Sequence, residues 1–303
     1  MDLKQIEYFV RVAEMGSFTR AAISLDIAQP ALSRQIRLLE VELRQNLLTR
    51  NGRGALPTPA GRLLLEHGRG ILHQVALTYE EMGAARGALS GKVSIGLPPS
   101  LSKLMTVRLV KAFATELPKA QLTLREGFSV LMHEGLRAGH LDLAVLYNPE
   151  LSPDLEMSTL HEDQLALISP YLCESGKSGP DMTLSDVAAL PLILPSRPNA
   201  FRLLIEAELA LIGKQPNIVL EVDSVNAILS LVREGMGHAV LPGYTLDNFE
   251  QPSPFLVRPI HSPVVKSQLR LAWSSRRPTT QTHKKCMELI TRELQLALRS
   301  AST

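Results

Sequence analysis

From Pro59 to Leu89 the chain contains no helix breaker other than glycine, and a run of that kind leaves few options for folding. Leu64, Ile71, Val75, Thr78, Met82, Ala85 and Leu89 recur at threes, fours and their sum, the spacing of a helical seam. About thirty residues at 1.5 Å each make a rod of roughly 45 Å. A free rod buries its seam only against a partner helix. Residues 59–89 are therefore read as a linker that dimerises through Leu64, Ile71, Val75, Met82 and Leu89. The rod also divides the chain into a front domain, 1–58, and a rear domain, 90–303. Gly68 and Gly70 stand inside it, each costing about 1 kcal/mol relative to alanine. Close approach of another helix, a bend, or a weaker surface turn would each account for them.

In the front domain, Ile6, Phe9, Val10 and Ala13 mark one helical face, which Gly16 terminates. Ser17 then caps a second helix with Phe18, Ala21, Ala22 and Leu25 inward, and a short turn follows. Pro30 suits the first turn of a third helix, whose seam is Leu32, Ile36, Leu39 and Leu43. Its outer face carries Gln29, Ser33, Arg34 and Arg37. Two short helices, a tight turn and a longer third helix make a helix-turn-helix pattern. The net charge of the whole chain is only +2, yet residues 17–62 hold seven arginines against three acids. Arginine suits bidentate contacts to guanine and phosphate. A solvated three-helix bundle with no nucleic-acid role fits the spacing as well. Next, Asn51-Gly52 signals a hairpin flanked by Arg50 and Arg53, a basic wing, and Thr58-Pro59 opens the rod.

The run SFTRAAISLDIAQPALSRQIRLLEVELRQNLLTRNGRGALPTPAG resembles the winged helix-turn-helix of LysR-type transcriptional regulators. The matching pieces are the Ser-Phe-x-x-Ala-Ala start, Gln29-Pro30-Ala31-Leu32-Ser33, Ile36, Leu39-Glu40, Leu43, Leu47-Leu48, Arg50 and Thr58-Pro59-Ala60-Gly61. Ala28 stands where that family often has a capping serine, and Pro57 where it often has leucine or a β-branched residue. The resemblance implies DNA contact by Ser17, Gln29, Pro30, Ala31, Ser33, Arg34 and Arg37, with Arg50 and Arg53 on the wing. It also implies a homodimer that assembles into a tetramer, double-stranded promoter DNA and RNA polymerase as partners, and no cofactor. The whole chain is most similar to the nitrogen-assimilation-control subgroup, partly through LSGKVSIG, and some members of that subgroup work without an effector.

Behind the rod, strand patterns at 92–97, 120–125, 142–146, 164–169, 192–194, 218–222 and 237–241 alternate with helical ones at 101–115, 129–138, 200–212 and 224–234. This reads as α/β with a mostly parallel sheet. Extended segments near 156–161 and 263–268 are read as two crossings between lobes, and 279–298 as a final helix. The rear domain is similar to the two-lobed, periplasmic-binding-protein-like effector domain of the same family, through AGHLDLAVLY and LVREGMGHAVLP. Lobe I is assigned 90–161 and 266–303, and lobe II 162–265. Ligands in such sheets sit beyond the carboxyl ends of strands, near helix N-termini. Ser100, Ser102, Ser129, Ser196 and Ser224 are candidates to hydrogen-bond a small anionic effector. Arg197 and Arg202 would pair its carboxylate, and Phe128 and Phe201 would cover its body. Helix capping alone would also explain Ser100, Ser129 and Ser224. His238 is read as a hydrogen-bonded core histidine, with a sensing role as the alternative.

No G-x-S-x-G, Walker A or G-x-G-x-x-G motif is present, and HEGLR at 133–137 lacks the second histidine of a zinc site. The expectation is a regulator, neither an enzyme nor a metalloprotein. A composition 45% hydrophobic and 20% charged is that of a globular chain. Cys173 and Cys286 are far apart and expected to be free thiols. MDLKQIEYFV has no signal-peptide pattern and no run reaches the roughly 18 apolar residues of a membrane span, so a cytoplasmic protein is expected.

Overall fold

Gly16 is the first residue to fix the path of the chain: it takes a left-handed conformation, φ 61°, and closes α1 (Leu3–Met15). The computed structural model describes residues 1–51, 54–84, 89–171, 182–246 and 254–301. The chain divides near residue 87 into two units.

In the first unit, Ser17 accepts a hydrogen bond from the Arg20 amide and caps α2 (Phe18–Ser24). The third helix, α3 (Gln29–Leu43), starts at Ala28 with no side-chain cap and has Pro30 in its first turn. Ile6, Phe9, Val10, Phe18, Ala21, Ala22, Leu32, Ile36 and Leu39 form one core with Leu47, Leu48 and Ala55. Leu48 and Ala55 come from a two-stranded wing, β1 (Leu48–Asn51) and β2 (Gly54–Pro57), paired antiparallel, and Leu47 directly precedes it. Glu40 Oε1 accepts from the amides of Leu47 and Leu48 at 2.8 and 3.2 Å and so ties α3 to the wing. Thr58 Oγ1 accepts from the Gly61 amide at 3.0 Å and opens α4 (Pro59–Ala84).

The linker reading needs three adjustments. Leu64, with Leu65 and Leu72, packs against the N-terminal core, so the first turns of α4 belong to that domain. Gly68 is where α4 meets α1, since an added Cβ would lie 3.0 Å from Ile6 Cγ2 and 3.1 Å from Val10 Cγ2, whereas Gly70 faces open space. Leu89 is not on the helical seam: it directly precedes β3 (Ser90–Leu97) and packs against the C-terminal core. Ala85 lies outside the described residues.

The second unit continues with α5 (Pro99–Glu116), β4 (Lys119–Glu126), α6 (Ser129–Arg137), β5 (Leu143–Tyr147), β6 (Leu155–Pro170), β7 (Met182–Thr183) and α7 (Leu184–Ala189). Then come β8 (Leu192–Leu194), α8 (Ala200–Leu211), β9 (Ile218–Glu221), α9 (Val225–Arg233), β10 (Ala239–Pro242), β11 (Phe255–His261), β12 (Lys266–Ser274) and α10 (Gln281–Ala301). The main sheet runs β4-β3-β5-β12-β6-β11-β7, with β10 also on β6, and β8 and β9 form a separate pair.

The sheet is mixed rather than mostly parallel. β3 pairs parallel with β4 and β5, and β8 with β9, as the strand–helix alternation requires. β12, however, lies antiparallel between β5 and β6. Nor are 156–161 and 164–169 separate segments. They are one 16-residue strand, β6, whose first part pairs with β12 up to Gln164 and whose last part, from Leu165, pairs with β10 and β11. Strand β6 thus passes from one lobe to the other, and the lobes meet where its partner changes. Helices α5 and α10 cover the first lobe through Leu101, Met105, Leu109, Leu289, Ile290 and Leu294, and α8 and α9 the second through Ile205, Leu209, Ile228 and Val232.

Candidate functional site

Two surfaces carry the sequence-predicted residues, one in each unit. On α3 the buried seam of Leu32, Ile36 and Leu39 leaves Gln29, Pro30, Ala31, Arg34 and Arg37 exposed and Ser33 half-buried. Gln29, Ser33 and Arg37 follow at intervals of four, so they form one row about 12 Å long, about the width of a major groove. Neither Arg34 nor Arg37 has an ion-pair or hydrogen-bond partner among the described residues. Ser17 acts as the α2 cap. Arg53 lies outside the described residues, as does the side chain of Arg50, although its strand β1 is in place.

The second surface is a cavity between the lobes of the C-terminal unit. Its lining comes from the carboxyl ends of strands and the helices that follow. Ser100 stands on α5, Phe128 and Ser129 at the start of α6, Phe201 on α8, and Asp223 and Ser224 before α9. The cavity volume is about 20 Å³, room for roughly one water. Five predicted residues are therefore brought together: Ser100, Phe128, Ser129, Phe201 and Ser224.

Four predicted residues are not in this lining. Ser102 faces Thr106, Oγ to Oγ1 at 3.4 Å. Ser196 is turned to Asp223, donating from its amide at 2.8 Å and from Oγ at 2.5 Å. Those bonds hold the Asp223 carboxyl below its ordinary range. Arg202 is buried and bonds Glu206 at 2.5 Å, Glu221 at 3.1 Å and the Pro195 carbonyl at 3.3 Å. Arg197 reaches Glu206 at 2.7 Å. Burial pulls the Glu206 carboxyl up, and the hydrogen bonds from Arg202 and Arg197 outweigh it, so the net shift is downward. Both arginines are spent on carboxylates of their own lobe, and among the described residues Asp223 is the one charged side chain in the lining.

The chain's own hydroxyls occupy the cleft floor. Ser100 Oγ donates to Tyr147 Oη at 3.0 Å, and Tyr147 Oη is hydrogen-bonded to Tyr244 Oη. Tyr147 ends β5 and its ring meets that of Phe201 at 4.5 Å between centroids, while Ser129 Oγ accepts from the Tyr147 amide at 3.0 Å. Burial pushes the Tyr244 phenol above its ordinary range, so it stays protonated. The sequence reading missed Tyr147, Tyr244 and Asp223. Tyr147 could have been found, since it closes a strand at the carboxyl edge where ligands sit. Tyr244 lies on a short turn with no such signal.

His238 is half-buried with Nδ1 2.8 Å from Ser169 Oγ, the hydrogen-bonded position expected of it. Cys286 is buried and its thiol is pushed up to about 12, while Cys173 lies outside the described residues. Among the described residues no group of three or more histidine, cysteine or carboxylate side chains could hold a metal ion. No described helix is long and apolar enough to cross a membrane.

Residues 3–62 match the family described as bacterial regulatory helix-turn-helix protein, lysR family. Residues 86–295 match the LysR substrate binding domain. The nitrogen assimilation regulatory protein nac of Escherichia coli (strain K12) is 35% identical over 243 residues, covering 80% of this chain and 78% of its own length. The crystal structure of full-length CbnR complexed with its target DNA covers 97% of this chain and 100% of its own at 26% identity, with a TM-score of 0.70. A full-length OxyR variant from Pseudomonas aeruginosa superposes with a TM-score of 0.75 at 23% identity, over 98% of each chain.

Proposed function

Because the chain belongs to the LysR family of transcriptional regulators, in which a DNA-binding helix-turn-helix precedes an effector-binding domain, we propose that α3 reads promoter DNA through Gln29, Ser33, Arg34 and Arg37. The observation that carries this reading is the pair of exposed guanidiniums, without partners among the described residues, on the outer face of a helix whose inner row is buried. Arg34 pairs a guanine edge and Arg37 a phosphate, with Pro30 and Ala31 against the groove wall and the wing of Arg50 and Arg53 on the backbone. Pairing of two chains along α4, where Ile71 and Met82 are exposed and Val75 half-buried, sets two half-sites roughly 34 Å apart. The protein works in the cytoplasm as a dimer or tetramer beside RNA polymerase. A footprint of the full-length protein on a duplex it selects from random sequence tests this. Two protected half-sites separated by whole helical turns are expected, and a single unpaired site would contradict the paired reading.

The cleft takes a small polar molecule only when it opens, since a volume of about 20 Å³ holds no organic ligand. Such a ligand replaces the Tyr147–Tyr244 hydrogen bond and meets Ser100. With Arg197 and Arg202 paired to Glu206, the ligand's polar end depends on hydroxyls and helix N-termini rather than on a cation. Ser100→Val is expected to blunt the effector response and spare DNA affinity; an unchanged dose response would move the effector elsewhere.

A further inference from the structure

One cation in the second lobe is held by neutral atoms alone. Arg258 stands on β11, opposite Leu167 of β6. Its Nη2 donates to Ser169 Oγ at 2.8 Å and its Nη1 to Met182 Sδ at 3.4 Å. Its Nε is buried and has no hydrogen-bond partner. No carboxylate among the described residues lies within ion-pair distance of it. Asp186, on the adjoining turn from β7 into α7, has its carboxylate taken by the Thr183 amide and hydroxyl at 3.2 and 2.6 Å. A half-buried guanidinium in this state is costly, because removal from water is not offset by a counter-charge.

The hydrogen-bond directions follow from chemistry. Arginine only donates, so Ser169 Oγ accepts from Arg258 and must point its own hydrogen elsewhere. The second neighbour of Ser169 Oγ is His238 Nδ1, at 2.8 Å; a hydroxyl that accepts from Arg258 is able either to donate to that nitrogen or to accept from it, according to the tautomer. In the tautomer whose Nδ1 accepts from Ser169, neutral His238 carries its ring hydrogen on Nε2, a second donor. Ser169 sits on β6 between His238, which directly precedes β10, and Arg258 on β11. Among the described residues, Arg258 Nε is thus left without an acceptor and the guanidinium without a carboxylate. Burial and the nearby Arg258 charge hold His238 below its ordinary pKa.

We propose that Arg258, Ser169 and His238 form a binding site for a small oxyanion, separate from the cleft between the lobes. Bidentate pairing of Arg258 with two ligand oxygens supplies the missing counter-charge, and His238 Nε2–H donates to a third acceptor. The shared chemistry is that of inorganic sulfate or phosphate and of a metabolite carboxylate. His238 directly precedes β10, the strand whose Leu241 lines the cleft, so an anion there braces the second lobe at the start of β10.

Thermal unfolding of the full-length protein, followed through the single tryptophan, Trp273, tests the site. Sulfate, phosphate and acetate are each titrated against chloride at constant ionic strength, in the wild type, Arg258→Met and His238→Gln. Excluded salts stabilise any protein without saturating, so the signal is the saturable rise present in the wild type and absent from Arg258→Met. At 100 times its dissociation constant the ligand multiplies the folding equilibrium constant about a hundredfold. His238→Gln is expected to raise the apparent dissociation constant while keeping the saturable rise. Saturation by sulfate and phosphate alone assigns an inorganic anion, and saturation by acetate assigns a carboxylate. Equal curves in all three proteins, or no saturable component in the wild type, would overturn the site. Should Arg258→Met fail to fold, a selenate soak of wild-type crystals decides it: an anomalous peak beside the guanidinium supports the site, and none there refutes it.

Discussion

The arginines of α3 and those around α8 are the same residue type put to opposite uses. Arg202 has Glu206 four residues on, the spacing of a helical ion pair, and the two bond at 2.5 Å with Arg202 only 6% exposed. Arg34 has Leu38 at that position and Arg37 has Val41, both exposed apolar residues. Arg37 does have an acid three residues on, Glu40, but that carboxylate is drawn away by the amides of Leu47 and Leu48. An arginine with an acid in reach becomes architecture, and one whose acid is absent or diverted stays available to a partner. The difference explains why Arg34 and Arg37 stay exposed on α3 while Arg197 and Arg202 are kept out of the cleft lining.

The comparison breaks most visibly at Arg202. Arg202→Ala leaves Glu221, itself half exposed, without this partner and Glu206 with Arg197 alone, and removal of charge-assisted hydrogen bonds from a buried guanidinium costs about 1.5–3 kcal/mol. Urea unfolding monitored at Trp273 should show that loss, while DNA affinity of the folded variant is unchanged. A loss under about 1 kcal/mol would mean that the pair is solvated and that Arg202 is open to ligand after all.

Asp163 offers a second, pH-dependent test of what burial does to a charge in this domain. It sits near the partner change of β6, its Oδ1 3.0 Å from His161 Nε2 and its Oδ2 without a hydrogen bond. Burial pushes its carboxyl up to about 6, against the opposing pull of His161. The folded protein therefore holds this proton more tightly than the unfolded chain, whose carboxyl titrates near 3.8. The stabilising contribution is complete below pH 3.8 and is lost as pH rises through 6. A shift of about two units corresponds to roughly 3 kcal/mol. Asp163→Asn should stabilise by about 2–3 kcal/mol at pH 7.5 and hardly at all at pH 4. An equal gain at both values would assign the effect to packing.

The smallest effect is expected at Arg37. Arg37→Ala should weaken binding to selected and random duplexes alike and flatten the salt slope by about one unit. A slope that does not change would remove Arg37 from the phosphate contacts.

The helices of both units, except the short α7, were legible because their signals are local: Gly16 as a stop, Ser17 as a cap, Pro30 in a first turn, and a buried seam. The parallel strands β3, β4, β5, β8 and β9 were legible for the same reason, as short apolar runs placed before helices. Strands β11 and β12 and the length of β6 were not. Glu162 and Asp163 interrupt β6 in sequence and read as a break, yet in the fold they continue the ladder to β12. Antiparallel insertion of β12 between β5 and β6 joins residues more than a hundred positions apart, and no window of sequence records that. In the cleft, the serines were visible as helix starts, but whether Arg197 and Arg202 face a ligand depended on Glu206 and Glu221. Tyr244 reaches Tyr147 only through tertiary structure.

Whether the free arginines of α3 read bases is decided most directly by Arg34. Binding of wild type and Arg34→Ala to a duplex selected by the wild type, and to random duplex, is compared at one fixed salt concentration. The expected result is a loss of about 1–3 kcal/mol in the difference between the two duplexes, with random binding little changed. An identical loss on both duplexes would show that Arg34 meets only phosphate, and no loss on either would show that the outer face of α3 is not the surface that meets DNA.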